Sequence, residues 1–591
     1  MKKIILLTIY LVPAVLLIGF VANFSVNVPI DDEWRLASLF DKIATGNVAF
    51  NDFWALHSNH RIAIPKLIIT VLVFVSQWNI NYSLCLSIAL AIITFITIYK
   101  LSSMQVKNVG DNLWHLTNIL SCILLFSLVQ HENWLWGFQL AWFLVNLCFV
   151  AAVYSLSRDT ALPSPLSDKD TAVPCPYDIK IKISIAALCC LIASFSLAQG
   201  LLSWLAAIPA VVALQGNVAQ KRKRLIVWIL LFVATCAAYS IDYHPTRKTS
   251  IISLLNQPLV VIDYFLSLLG SPIVRLPGIS ALVGLLIFIS FLLLAFHFGR
   301  KIDEYREALP WLSIGLFAVL SALIITAGRA QFGAIQAIES SRYTTNSILL
   351  LIALVQLGQL FVRGNSAIIN RNYKFIYRVF AGLLIGIIIV NSQQAIAQTA
   401  SALPYKQGGK DCLALINYLE PSDFFNNSPE SCLRVLSKKT WLVREGAAII
   451  EKIGWIKLAK NVEFIANSGK VYGYFDQPQI GDKLLTINKN NAIKATGWAV
   501  WPEKLQQPNI VLLSVGDKPS FFANAYVNLD SPDIAKTLKS QVYNNARWVV
   551  DFSAKNLPIA QTEIKAWVYN PVDNQFVRLR GGARVTVEDE E

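Results

Sequence analysis

The sequence predicts an α-helical polytopic membrane protein of about eleven spanning helices with outer juxtamembrane helices. A soluble C-terminal α+β region containing a small β-sandwich is expected to follow it. Three observations carry this expectation. Hydrophobic residues make up 55% of the 591, and mean hydropathy is +0.51, too apolar for an ordinary globular protein. A hydrocarbon core needs about 20 mostly apolar residues to be crossed as a helix, and such stretches recur as far as residue 396 and then stop. From 397 onward the chain is polar and rich in turn residues. Three segments follow: a transmembrane domain 1–396, a mostly helical connector 397–465, and a β-sandwich-like accessory domain 466–591.

The chain opens Met1-Lys2-Lys3 before an apolar run from Ile4 to Ala22. That resembles a signal peptide, but the run is long, contains Pro13 and has no convincing small-x-small cleavage site, so a retained signal anchor is expected. The remaining spans are read at 82–100, 114–130, 137–157, 181–198, 201–217, 224–241, 281–298, 311–327, 346–363 and 379–396. The net charge of +14 lies in short blocks between apolar runs, such as Lys221-Arg222-Lys223-Arg224. That pattern fits cytoplasmic loops under the positive-inside rule and argues against a nucleic-acid partner. Placing those blocks and the N-terminus inside works only if the apolar segments 64–78 and 258–273 do not cross. They are read as juxtamembrane or re-entrant helices on the outer face, where a protein or water-filled cavity tolerates irregular backbone. The loop 158–180, rich in Pro, Asp and Ser, is read as a cytoplasmic connector. Loops 23–63, 131–136, 242–280 and 328–345, with the soluble tail, then share the extracytoplasmic side of a plasma (inner) membrane.

The first outer loop carries Asp31-Asp32-Glu33-Trp34 just beyond the first span. Acidic residues there suit the N-terminus of a helix, expected over Leu36–Ile43, and carboxylates close to a bilayer also mark functional sites. The loop continues through Trp54, His57, Asn59, His60 and Arg61 to Lys66. Two histidines three apart can ligate a metal on a helix face; without a clear third ligand, hydrogen bonding to a substrate is the preferred reading. The second loop, Gln130-His131-Glu132-Asn133-Trp134-Leu135-Trp136-Gly137-Phe138-Gln139, packs amides and a carboxylate between tryptophans. Tryptophans at this depth often serve as interfacial anchors, but aromatic faces beside polar groups also suit a sugar ring. Gln199-Gly200, with Trp204 behind, returns to the same side. Arg247 and Lys248 in the third loop and Arg329, Arg342 and Tyr343 in the fourth run against the positive-inside tendency. Guanidinium forks suit phosphate, although an arginine can also snorkel to lipid headgroups.

Carboxylates, an aromatic-amide patch and lone arginines on one face are what a polyprenyl-phosphate sugar would use. Arginine holds the phosphate, the lipid tail stays in the bilayer, and a carboxylate takes the proton from an acceptor hydroxyl. Over residues 1–396, the inside N-terminus, the acidic cluster Asp31-Asp32-Glu33, the juxtamembrane helices and the number of spans resemble the glycosyltransferase-C superfamily. The resemblance implies lipid-phosphate sugar donors and an acidic residue of the first outer loop acting as base or metal ligand. Asp31 and Asp32 would then be the metal-binding pair, with Mg or Mn as the cofactor. The sequence has neither the Lys-Pro-Pro-Leu stretch of the mannosyl- and aminoarabinose-transfer branch, where Ile64-Pro65-Lys66-Leu67 stands as an echo, nor the Trp-Trp-Asp motif of oligosaccharyltransferases.

In the tail, Cys412 and Cys432 lie twenty apart, and an extracytoplasmic location makes a disulfide the expectation. Strands are read at 471–475, 492–500, 510–515, 523–527, 547–552, 563–569 and 576–579. Trp498, Trp501 and Trp567 either fill the core of this domain or stack on sugar. The leading function is an inverting glycosyltransferase moving sugar from a polyprenyl-phosphate donor to an extracytoplasmic glycan, lipid or protein acceptor. Asp31, Asp32 and Glu33 are its catalytic candidates. Its substrate-binding candidates are His57, His60, Arg61, Lys66, His131, Glu132, Asn133, Trp134, Trp136, Gln139, Arg329, Arg342 and Tyr343. A transporter or flippase of lipid-linked glycans, or a non-catalytic assembly protein working through the tail, are the alternatives.

Overall fold

The computed structural model describes residues 2–104, 111–157, 179–244, 256–364, 367–478, 485–503, 506–516 and 520–588. The connector 158–178 and the pair Arg247 and Lys248 lie outside the described residues. Contacts divide the chain into two units, one of residues 1–25, 49–72 and 81–397, the other of 26–48, 73–80 and 398–591.

The protein is a multi-pass membrane protein. Among the described residues of both units, nine helices are long and apolar enough to cross a bilayer. They are Ile4–Phe24, Ile80–Met104, Asn112–Trp134, Gly137–Ser157, Val218–Ser240, Ile279–Gly299, Glu304–Phe332, Ser341–Arg363 and Asn372–Ala414. Each overlies one of the expected spans. The segments 181–198 and 201–217 do not reach that length. The first gives a helix Ile179–Ser194 of 16 residues, and the second breaks into Leu202–Ala206 and Ile208–Ala213. Backbone approach fixes the turn that separates the two segments: a Cβ on Gly200 would lie 1.8 Å from the carbonyl oxygen of Ala193, so only glycine permits this turn. Leaving both segments out of the count removes a pair of crossings and preserves the charge parity. The apolar helices Ala63–Ser76 and Pro258–Gly270, of 14 and 13 residues, are also short of a span.

The first unit is held together by the devices expected where lipid removes the hydrophobic drive for helix pairing. Pro258–Gly270 and Ile279–Gly299 touch backbone to backbone. A Cβ at Gly284 would sit 1.8 Å from the Leu266 carbonyl oxygen, and one at Gly270 1.9 Å from that of Ser280. Elsewhere a buried polar chain ties three helices. Asn118 Nδ2 donates to Ser102 Oγ at 3.2 Å, Ser102 Oγ to Gln356 Oε1 at 3.1 Å, and Gln356 Nε2 to Ser121 Oγ at 3.1 Å.

The second unit takes in part of the first loop, residues 26–48. Burial is the reason. The 3₁₀ turn Asp31–Leu36 and the helix Ala37–Ala44 put Trp34 and Phe40 into an aromatic cluster with Trp78 and Trp455. Gly446 supplies the room, since a Cβ there would meet the Trp34 ring at 2.5 Å. Helices Asp423–Asn427, Cys432–Leu436 and Thr440–Ile453 lead into the strands, and Cys412 is disulfide-bonded to Cys432 with Cα atoms 6.2 Å apart.

The strands are β1 Glu463–Ile465, β2 Gly473–Gln477, β3 Leu485–Asn488, β4 Ala492–Ala499, β5 Ile510–Val515 and β6 Ala523–Leu529. They continue with β7 Arg547–Ser553, β8 Gln561–Asn570, β9 Gln575–Arg578, β10 Arg580–Gly581 and β11 Ala583–Glu588. All seven expected strands are present, and β1, β3, β10 and β11 join them. In place of two separate sheets they form one, in the order β1-β9-β8-β5-β6-β7-β4-β2-β10, with β11 pairing β3 and β8. Arg578 pairs with Trp567 of β8 while Arg580 pairs with Tyr474 of β2. One short segment of chain therefore joins both ends of the path, and the sheet turns back on itself around a core containing Trp548 and Trp567.

Candidate functional site

In the membrane unit, the second and fourth loops interlock through side chains. Glu132 backbone N–H donates to Ser341 Oγ at 3.0 Å, and Arg342 backbone N–H returns a bond to Glu132 Oε2 at 3.0 Å. Asn133 Nδ2 donates to the Arg342 carbonyl at 2.9 Å and to Thr345 Oγ1 at 2.5 Å, and Thr345 Oγ1 donates to Gln130 Oε1 at 2.6 Å. Gln130, Asn133, Ser341 and Thr345 are buried, so each of these bonds replaces one otherwise lost to water.

Aromatic rings line the same cluster. The Arg342 guanidinium lies 5.1 Å from the Tyr343 ring centre and 5.8 Å from that of Trp136, within cation–π range. Tyr343 meets Trp142 edge-on at 6.0 Å, and Trp134 stacks on Phe143 at 4.3 Å while donating to the Ser127 carbonyl. Trp134 is therefore a core residue, whereas Trp136 faces a guanidinium. Gln139 is buried at the start of the next helix. Arg329 lies 5.9 Å from the Phe332 ring, and among the described residues it makes no hydrogen bond or ion pair.

Tyr264 and Arg275 belong to this cluster and were missed. Burial pushes the Tyr264 phenol above its usual value, while Arg329 and Arg342 act in the opposite direction; its hydroxyl donates to Gln336 Oε1 at 3.3 Å. Arg275 donates to the Val129 carbonyl, and burial lowers its pKa against the pull of Glu132. An arginine in a loop assigned to the outside was the signal for Arg329 and Arg342, and it applied equally to Arg275. Asn346, also missed, keeps both amide atoms buried with no hydrogen-bond partner among the described residues.

The first-loop residues of this unit are arranged differently. His57 and His60 exchange backbone hydrogen bonds at 2.8 and 3.1 Å across a tight turn, with Ser58 at φ 56°. They do not lie on a helix, so the spacing that suggested a metal face does not apply. The His57 ring lies 4.8 Å from Phe138 of the second loop. Arg61 is 1% exposed and gives its donors to the carbonyls of Tyr239 at 2.9 Å, Trp54 at 2.5 Å and Ile241. Its guanidinium also lies 4.7 Å from the Trp54 ring. Lys66 Nζ donates to the carbonyls of Asp52 at 3.0 Å and Ala55 at 2.6 Å, and burial lowers its pKa to about 8. Both cations act as clamps on the loop backbone. Gln199-Gly200 and Trp204 are buried, with Trp204 Nε1 on Ser194 Oγ at 3.1 Å.

The acid turn lies in the second unit. Glu33 is 3% exposed and its carboxylate accepts the Ile30 N–H at 2.9 Å, so it caps its own 3₁₀ turn. Asp32 pairs with Arg35 at 3.2 Å. Asp31 is exposed and holds φ 47°, a backbone region that a non-glycine residue occupies at a cost. With Glu33 and Asp32 engaged in this way, the turn offers a divalent ion no assembled ligand set. Among the described residues no three His, Cys, Asp or Glu side chains converge for a metal.

These observations define a polytopic membrane protein with a buried amide–hydroxyl network and an arginine-aromatic cluster in its first unit, and an acidic turn in its second. No family model and no curated protein matches the sequence. Two solved structures from Archaeoglobus fulgidus are similar to it. One is an oligosaccharyltransferase tethered to an acceptor peptide containing the NVT sequon (TM-score 0.39, 13% identity, 70% of this chain and 57% of that one). The other is the oligosaccharyltransferase AglB in complex with an inhibitory peptide and a dolichol-phosphate (TM-score 0.39, 12% identity, 71% and 58%). The chain spans less than two thirds of the length of either enzyme.

Proposed function

We propose that the chain is an inverting membrane glycosyltransferase that moves a sugar from a polyprenyl-phosphate donor to an extracytoplasmic glycan, lipid or protein. The observation that carries the reading is the cluster of Arg329, Arg342 and Arg275 around Glu132, Tyr264 and Tyr343. Guanidinium forks held over aromatic rings in a partly buried setting suit a phosphate ester. The rings and the buried Asn346 amide suit the C–H face and hydroxyls of the sugar attached to it.

In this reading Arg342, with Arg329, stabilises the charge that collects on the departing polyprenyl phosphate. Asp32, with Asp31, takes the proton from the acceptor hydroxyl. The acceptor oxygen bonds to the anomeric carbon as the carbon–phosphate oxygen bond breaks, with inversion. The proton ends on the carboxylate and the negative charge on the released lipid phosphate. His57, Trp136, Glu132 and Asn133 shape the sugar and acceptor sites. The N-terminus is proposed to be cytoplasmic and the tail extracytoplasmic in a plasma (inner) membrane, where oxidising conditions support Cys412–Cys432.

The test uses the full chain in detergent with a radiolabelled polyprenyl-phosphate sugar and a membrane-fraction acceptor. Asp32→Ala is expected to lower transfer by about 100-fold or more, with normal membrane insertion and thermal stability. Transfer retained at the wild-type rate by Asp32→Ala and by Asp31→Asn would overturn the assignment of the base.

A further inference from the structure

We infer that the outer face of the tail sheet is a binding site for an uncharged oligosaccharide. The register builds it. Arg580 pairs with Tyr474, Tyr474 with Trp498, and Trp498 with Arg547, so four adjacent strands contribute one row of side chains. Directly paired residues project from the same face. The burial alternation says which face. In β2, β4 and β7 the neighbours Phe475, Gly497 and Trp548 point inward, while Tyr474, Trp498 and Arg547 stay at least partly exposed. Tyr474 is 37% exposed, and its ring lies 5.5 Å from Trp498 at 35°. Trp498 rests one side on Ile534, Ala535 and Tyr543, which fixes its plane. Two such rings, tilted by 35° to one another and set side by side on a sheet, offer a platform to the C–H faces of successive pyranose rings.

The polar groups around the platform are charge-balanced, and this selects the ligand. Arg547 donates to Asp476 at 3.3 Å and to Asp533 at 2.6 Å, and Lys470 donates to Glu503 at 2.9 Å, which also accepts from Tyr472. Arg580 donates to the Tyr474 hydroxyl at 3.2 Å. Asp476 reaches Arg547 because a bulge between Phe475 and Gln477 inserts it as an extra residue. Arg547 is paired with two carboxylates and Lys470 with one, while Arg580 rests on a phenol, so the surface shows fixed donors and acceptors whose charges are largely paired. A neutral polyol gains from such an array, whereas an acidic polymer would meet as much repulsion as attraction. Two other tryptophans of the sheet are employed elsewhere: Trp567 is buried with its Nε1 on Ser514 Oγ at 2.8 Å, and Trp548 is buried beneath the sheet.

The inference does not rest on the transfer reaction, so Asp32→Ala should bind sugar as the wild type does. Calorimetric titration of the full chain in detergent with manno-, malto- and chitohexaose, against hexagalacturonate as charged comparator, is the test. At least one neutral hexasaccharide is expected to bind, with its Kd raised tenfold or more by Tyr474→Ala and severalfold by Arg580→Gln. Both substitutions lie at exposed positions that leave the Cys412–Cys432 helices and the sheet core untouched. Absence of binding by every neutral hexasaccharide, affinity unchanged in Tyr474→Ala, or tighter binding of hexagalacturonate would each overturn the proposal.

Discussion

Two regions of the membrane unit carry the same kinds of residue and use them in opposite ways. The first-loop stretch 57–66 has histidines, an arginine and a lysine beside tryptophan; the meeting of loops 130–139 and 329–346 has histidine, arginines, amides and tryptophan. In the first, Arg61 and Lys66 are buried and their donors are consumed by backbone carbonyls. In the second, the backbone of Arg342 is held by Glu132 and Asn133 while its guanidinium lies over rings. A cation spent on backbone carbonyls and a cation set over aromatic rings thus come from the same residue types, and residue type alone does not tell them apart.

The largest expected effect is a clean split between the two arginines. Arg342→Gln should lower sugar transfer by about 100-fold with an unchanged melting temperature in detergent. Arg61→Gln should instead cost about 3 kcal/mol or more by leaving carbonyls of Trp54, Tyr239 and Ile241 without their charged donor. It should show as loss of folded protein in the membrane fraction before any kinetic change. Equal loss of folding in both variants would erase the distinction.

A smaller effect sharpens the second region. Asn133 joins the Arg342 carbonyl to Thr345, so Asn133→Ala should destabilise the unit by about 1–2 kcal/mol and raise the KM for the lipid donor more than it lowers kcat. Thr345→Val removes the link to Gln130 and should do the same more weakly. Either variant changing kcat alone would mean that the network does not position Arg342.

The limits of the sequence follow from the same contrast. Among the described residues apolar length located nine helices long enough to span, because hydropathy is local. It failed at 181–217, where the deciding fact is how closely Gly200 approaches the Ala193 carbonyl. Alternation located seven strands but not the closure of the sheet, which depends on Arg578 and Arg580 choosing different partners. Outer-loop charge found Arg342 and Glu132, and it also found Arg61 and Lys66, whose carbonyl partners come from folding. Asn346 and Tyr264 lay inside apolar patterns that hid them. The acid turn was visible as a motif, but that Glu33 caps its own turn and Asp32 pairs with Arg35 is tertiary information.

The smallest expected effect concerns Lys66 and tests the clamp by pH. Burial holds its folded-state pKa at about 8, against the ordinary 10.5. Asp52 acts in the opposite direction and Arg61 with the burial. Between those two values the unfolded chain binds more proton than the folded one, so stability should rise as pH rises from about 8 towards 10.5. Below about 8 the contribution should be flat, because both states are then protonated. Melting temperatures of the wild type and Lys66→Met across that window check the sign. The wild type should gain relative to the variant as pH rises, by an amount modest beside the loss in Arg61→Gln. A wild-type advantage that instead shrinks with rising pH would mean that the ammonium is stabilised by its carbonyls more than burial penalises it. The clamp at Lys66 would then be electrostatic in origin, and the contrast with Arg342 would narrow to geometry alone.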